Sequence, residues 1–224
     1  MLFDAIKSEL KLEILENVPS GKILVLAPHP DDEIFGCGGT LAKYTKNADT
    51  VKIVYFSGTK ERQIEAKRAT SAIGVSDLVF LSDEDNSIKA SGTIISKLKE
   101  IITDFEPNII YAPSFNDPNI DHCNTVHILA KSLEDIRFEG EIYSYEIWTP
   151  LFANRLVNID EELASKKKSI LEFKSQLHDR SYLDAIIGLS QYRAGMYNAG
   201  KYAEAFFVCN KELYLKLFKL ITLK

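Results

Sequence analysis

No stretch of this sequence reaches 18 consecutive apolar residues, so an integral membrane span is not expected. Its three cysteines, Cys37, Cys123 and Cys209, are odd in number and lack C-x-x-C spacing. That argues against a disulfide framework and fits a reducing compartment. The opening Met1-Leu2-Phe3-Asp4 has no basic segment followed by an apolar one, so no secretory leader is expected and a cytoplasmic location is. Positive charge is in deficit, with 27 Lys and Arg against 32 Asp and Glu and a net charge of -5. A general nucleic-acid or anionic-membrane binder needs the opposite balance. The densest basic run, Lys166-Lys167-Lys168, stands beside Asp160, Glu161 and Glu162 and reads as a solvated helix face. Repeats, low-complexity tracts and linkers are also missing, so residues 1–224 are expected to form a single domain. What remains is globular in character, 46% hydrophobic and 26% charged.

The order of elements points to an α/β fold. Phe3, Ile6, Leu10 and Leu15 share one helical face and predict a packing helix from Phe3 to Glu16. Lys22 to Ala27 is almost wholly apolar and reads as a strand buried on both faces. A helix starting near Gly39 and a strand from Val51 to Phe56 follow, then a helix from Glu61 to Ile73 that ends at Gly74. Strands at Leu78–Leu81 and Ile109–Ala112 flank a helix at Thr93–Asp104, and Cys123–Leu133 reads as helix and Glu141–Ile147 as strand. From Glu161 the pattern turns helical: Leu163, Ile170, Phe173 and Leu177 mark one long helix, and Leu213, Leu217 and Leu220 another. Alternating strands and helices predict a Rossmann-like three-layer fold with a mainly parallel sheet and a helical C-terminal third.

Chemistry concentrates just past the first buried strand, in Pro28-His29-Pro30-Asp31-Asp32-Glu33. Open parallel sheets build their sites beyond the carboxyl ends of their strands. His29 and Asp32 make an H-x-x-D pair that a turn can fold around one ion, but a catalytic zinc usually has three protein ligands. The third candidate is His122, which follows the predicted strand at Ile109–Ala112 in Asp117-Pro118-Asn119-Ile120-Asp121-His122. That set leaves Asp31 unliganded beside the metal. A carboxylate there can take a proton from attacking water and return one to a leaving amine, so the expected reaction is hydrolysis of an amide or similar acyl bond.

The same residues resemble the LmbE/PIG-L superfamily of zinc-dependent N-acetylglucosamine de-N-acetylases, whose pattern is A/P-H-P-D-D-E followed downstream by H-P-D-H. Arg62-x-x-Glu65-x-x-x-Ala69, the acidic loop at Asp85, Tyr145-Glu146 and Ser175-Gln176 also resemble family positions. The resemblance implies Zn²⁺ held by His29, Asp32 and His122, with Asp31 as general acid and base. It implies substrate contacts from Arg62 and Asp85, orientation by Asp121, and support of the loop by Glu33. The expected partner is a small N-acetylated amino-sugar conjugate, and the family often forms homo-oligomers. One position departs from the pattern: Asn119 stands where relatives carry the first His of H-P-D-H. A neutral amide can still donate a hydrogen bond to an oxyanion but brings no positive charge. Asn119 therefore leaves a second reading, a catalytically weak or inactive metal- or sugar-binding member of the same fold.

Other residues read more plainly. His127 reads as a surface or packing residue, and Cys123 as a small packing residue. Gly36-Cys37-Gly38-Gly39 lacks G-x-G-x-x-G spacing and is better explained by a tight turn and close backbone packing behind the metal loop than by a dinucleotide. Arg62 and Glu65 have an alternative as an exposed i,i+3 pair on a helix.

Overall fold

Strand β2 (Lys22–Ala27) shows why the middle of the molecule forms where it does. Ile23, Val25 and Ala27 enter one apolar core, while Leu24 and Leu26 enter a second. A strand covered on both faces has no use for polar alternation. The computed structural model describes residues 7, 11–82, 84, 87–177 and 181–222. Its other strands are β1 (Glu13–Leu15), β3 (Thr50–Tyr55), β4 (Asp77–Phe80), β5 (Ile109–Pro113), β6 (Glu141–Tyr145), β7 (Arg155–Asn158) and β8 (Ala203–Asn210). The helices are α1 (Asp32–Lys46), α2 (Lys60–Ser71), α3 (Gly92–Phe105), α4 (Ile120–Glu134), α5 (Leu163–Ile170), α6 (Lys174–Leu177), α7 (Tyr182–Tyr197) and α8 (Lys211–Thr222).

The strands form one sheet in the order β1-β7-β8-β6-β5-β2-β3-β4. Every neighbouring pair is parallel except the two that β8 makes, with β6 and with β7. This is the expected three-layer, mainly parallel architecture. From β2 the chain proceeds outward to β3 and β4, then returns to β5 on the other side of β2 and proceeds to β6. The direction of winding therefore reverses between β2 and β5. The connections leaving those two strands diverge to opposite faces and open a crevice at their carboxyl ends.

Four local expectations need correction. Glu13–Leu15 is not helical: it pairs with Arg155–Val157 as an edge strand, because an open sheet edge outcompetes a marginal helical face. Residues 3–6 and 8–10 of that expected helix lie outside the described residues. Helix α1 begins at Asp32 rather than near Gly39, and the glycine run lies inside it. There the helix kinks at Cys37 (φ -143°, ψ 15°), and the Gly39 and Thr40 N–H groups donate to the Glu204 carboxylate at 2.8 and 2.7 Å. The long helix placed on Leu163 to Leu177 is broken into α5 and α6, although Ile170 and Phe173 are fully buried as its pattern demands. Strand β8 lies in the region read as helical from Glu161 onward, since short apolar runs such as Ala203–Cys209 have no helix-or-strand signature of their own, and β7 precedes that region.

Lys166 is also corrected. It is not a solvated residue but is 1% exposed, with its ammonium 2.5 Å from Glu204 and 2.9 Å from the Phe35 carbonyl oxygen. Together Lys166 and Glu204 satisfy polar backbone groups on both sides of the kink in α1. Gly36 is required there for a different reason, because a Cβ on it would come within 2.4 Å of the Tyr145 ring.

Candidate metal centre and its surroundings

The connection after β2 is a tight one. Asp31 adopts φ 131°, a value that L residues other than Asn and Asp rarely tolerate. Its carbonyl oxygen accepts the N–H groups of Ile34 and Phe35 at 3.0 and 2.9 Å and so starts α1. Its own N–H donates to Glu33 Oε2 at 3.1 Å, and the other oxygen of Glu33 accepts from the Tyr55 hydroxyl at 2.7 Å. Glu33 is fully buried, and burial pushes its carboxyl up to about 7 against the opposing hydrogen bond from Tyr55. A strained backbone persists only where its surroundings hold it, and Glu33 and Tyr55 hold this one.

Across the crevice, α4 starts at Asn119, whose side-chain oxygen accepts the Asp121 N–H at 2.9 Å. The cap sets His122 in the first turn, facing the β2 connection and fully buried. His29 Nδ1 and His122 Nε2 each lie 3.3 Å from Asp32 Oδ2. The outward nitrogens are both held by acids: His29 Nε2 by Asp121 at 3.1 Å, and His122 Nδ1 by Asp117 at 3.0 Å. Carboxylates accept, so these contacts put a ring proton on each outward nitrogen and turn each inward nitrogen towards Asp32, where it can give its lone pair to a cation that displaces its own proton.

His29, Asp32 and His122 each offer one ligand atom, and all three atoms fall within 4.8 Å of one another. His122 Nε2 is buried without a hydrogen-bond partner, its approach to Asp32 lacking hydrogen-bond geometry. An orphaned buried nitrogen is costly unless a cation takes its lone pair. With bonds of ~2.0–2.1 Å, two ligands of a tetrahedral zinc stand about 3.4 Å apart. The two 3.3 Å separations match that edge, so the residues fit a small dication of zinc's size.

The electrostatics agree with a cation site. Burial alone would lower His122, but Asp32 and Asp117 outweigh it and bring the imidazole to about 10. Burial likewise opposes ionisation of Asp32, yet His122 and His29 hold its carboxyl well below the usual range. Asp31 is displaced the other way, raised by burial and by the charge of Asp32, with Arg62 opposing.

Arg62, on α2, donates through Nη2 to Asp31 Oδ2 and to the Pro30 carbonyl oxygen, both at 3.1 Å. It does not form an exposed helical pair with Glu65, which is buried and accepts from the Ser175 N–H and hydroxyl at 2.8 and 2.6 Å. Two of the softer motifs, Arg62-to-Ala69 and Ser175-Gln176, therefore touch each other. Asp121 also accepts the Ile88 N–H at 2.8 Å through its second oxygen. Asp85 lies outside the described residues. His127 packs on Phe218, ring centroids 5.1 Å apart, and takes no part in the cluster.

Asp117 was given no role by sequence reasoning. Its signal is an acid five residues before His122, a spacing that becomes meaningful only when Asp117 Oδ1 accepts the Asn119 N–H at 2.9 Å and folds the segment into a turn. Tyr55 and Glu204 carry no sequence signal of their own either.

Residues 24–133 match the family model described as PIG-L, GlcNAc-PI de-N-acetylase. The chain is 26% identical over 156 residues to a diacetylchitobiose deacetylase of Thermococcus kodakarensis, an alignment covering 62% of this chain and 58% of that protein. It is 24% identical over 136 residues to a probable N-acetyl-alpha-D-glucosaminyl L-malate deacetylase of Bacillus anthracis, covering 51% and 60% respectively. The chain thus spans about three fifths of the length of these curated relatives. The fold superposes on the crystal structure of an N,N'-diacetylchitobiose deacetylase from Pyrococcus horikoshii with TM-score 0.77 at 21% identity, covering 95% of this chain and 93% of that one. The matched segment, 110 of the 224 residues, carries both halves of the crevice, His29 to Glu33 and Asn119 to His122, and over that segment this chain resembles the PIG-L family.

Proposed function

We propose that this protein is a zinc-dependent hydrolase that removes the N-acetyl group from an N-acetylated amino-sugar conjugate. The observation that carries the proposal is the convergence of His29, Asp32 and His122 with an unliganded acid, Asp31, next to them. The names of the relatives supply the substrate class. Zinc in that position would supply a Lewis acid for the acyl carbonyl and for the attacking water.

The chain's own groups account for the rest. Asp31 accepts the proton of the attacking water and returns one to the departing amine. Arg62 stays against Asp31 and, with Asp85, reaches the sugar. The Asn119 amide, whose oxygen is already engaged in capping α4, has N–H groups to offer the oxyanion. Asp121 and Glu33 keep the histidine and the loop in place. Three free cysteines suit a cytoplasmic setting. Among the described residues no helix is long and apolar enough to cross a membrane.

Acetate release from a panel of N-acetylhexosamine conjugates, with and without a chelator, tests the reading. Expected is turnover that the chelator abolishes and zinc restores. Zinc-loaded protein that binds these sugars yet releases no acetate would favour the second reading, a binding protein, for which the uncharged Asn119 is the supporting observation. A narrower expectation concerns Asp117. Losing the carboxylate behind a ligand histidine costs roughly 10–100-fold in metal affinity. Asp117→Asn should show that loss in competition with a chromophoric chelator. An unchanged zinc affinity would mean that the contact with His122 does nothing for the metal.

A further inference from the structure

Strand β6 ends at Tyr145, whose ring lies against Gly36, and because it is parallel to β5 it delivers the following segment, a rim, to the same carboxyl edge of the sheet as the metal loop. Glu146 is buried, and its carboxylate takes Arg193 Nε at 2.9 Å, Arg193 Nη2, and the Leu151 N–H at 2.8 Å. Arg193 Nη2 also donates to the Leu151 carbonyl oxygen at 2.8 Å. A single ion pair therefore pins both ends of the segment from 146 to 151. Near its far end, Asn116 Nδ2 donates to the Pro150 carbonyl oxygen at 3.1 Å, which joins the rim to the turn that carries Asp117.

Trp148, the protein's only tryptophan, sits on this pinned segment and is 44% exposed. It meets Tyr182 edge-on at 6.1 Å, and Tyr182 lies 5.5 Å from Phe35, two residues beyond Glu33. An aromatic path thus runs from the metal loop to the rim. Tryptophan is a large, rigid surface that costs little conformational entropy to present. Holding nearly half of it in solvent at the sheet edge that carries the metal loop is uneconomic for folding but suits a ligand with a flat apolar side. A pyranose is such a ligand: its C–H bonds form an apolar face and its hydroxyls form a polar edge.

We propose that Trp148 is the platform for the sugar ring, the residue that makes the site select amino-sugar conjugates over simple acetamides. This rests on the deacetylase reading for the identity of the ring. Trp148 binds the substrate away from the reacting atoms, so its contribution is expressed in KM more than in kcat.

Because there is one tryptophan, its emission reports the platform independently of turnover. Titrating the zinc-loaded protein with N-acetylglucosamine or N,N'-diacetylchitobiose is expected to give a saturable change in emission, and N-methylacetamide none. Trp148→Ala is expected to raise KM for the sugar amides about tenfold, with a much smaller change in kcat, and Trp148→Phe to fall between. Tyr192→Ala, an exposed aromatic on α7, is the control and should behave as wild type. Hydrolysis of sugar amides with no emission change and an unaltered KM in Trp148→Ala overturns the platform and leaves the deacetylase reading standing. A saturable emission change without acetate release supports the platform and removes the deacetylase reading instead.

Discussion

Asp31→Asn is expected to keep its zinc and lose turnover by a factor on the order of 10²–10⁴, the range that a positioned general acid–base group contributes. The substitution is a clean one here. Asparagine shares the tolerance of aspartate for positive φ, so the 131° backbone that starts α1 need not change. Its amide oxygen can still accept from Arg62 Nη2, now 3.1 Å away. Only the ability to take up a proton is lost. Bound zinc measured after gel filtration should equal that of the wild type, while kcat for acetate release collapses. A variant with full metal and full turnover would mean that the proton goes elsewhere and that the division of labour between Asp31 and Asp32 is wrong.

Glu204→Ala is expected to be the most damaging substitution for stability outside the crevice. It strands the Lys166 ammonium, 1% exposed, and leaves the Gly39 and Thr40 N–H groups without their acceptor inside the kinked helix. Removing one partner of a buried pair costs about 3–5 kcal/mol. For a chain of this size that lowers the melting temperature by roughly 6–20 °C, at about 2–4 °C per kcal/mol. An apolar double substitution of Lys166 and Glu204 should not fully restore the loss, unlike many buried pairs, because the helix donors remain unanswered. Calorimetry on the two variants decides it. A Glu204→Ala melting point within a degree or two of wild type would show that solvent reaches the kink and takes over the role of the carboxylate.

How much could be read in advance depends on how far apart the cooperating residues lie. His29 to Glu33 are contiguous and follow a buried strand, so their place at the carboxyl edge of the sheet was legible from a few residues. His122 was legible through topology, because connections after neighbouring parallel strands share an edge. Asp117 was not, since a carboxylate five residues before a histidine has no meaning until Asn119 turns the chain. The kink in α1 was misread for a similar reason. Four residues, three of them glycine, look like a break, and what restores the helix is an acid more than 160 residues later. Strand β8 was hidden because a short apolar run has the same look in a sheet centre as in a buried helix.

The place of β8 in the sheet also has a consequence for the order in which a ribosome can complete the fold. Strand β8 separates β7 from β6, so the β1–β7 pair has no sheet neighbour to join until residues 203–210 have left the exit tunnel. At synthesis rates of about 5–20 residues per second, β5-β2-β3-β4 can assemble several seconds before that arrival. During the wait the free edge of β6 and the unanswered donors at Gly39 and Thr40 stand open, and β8 closes both at once.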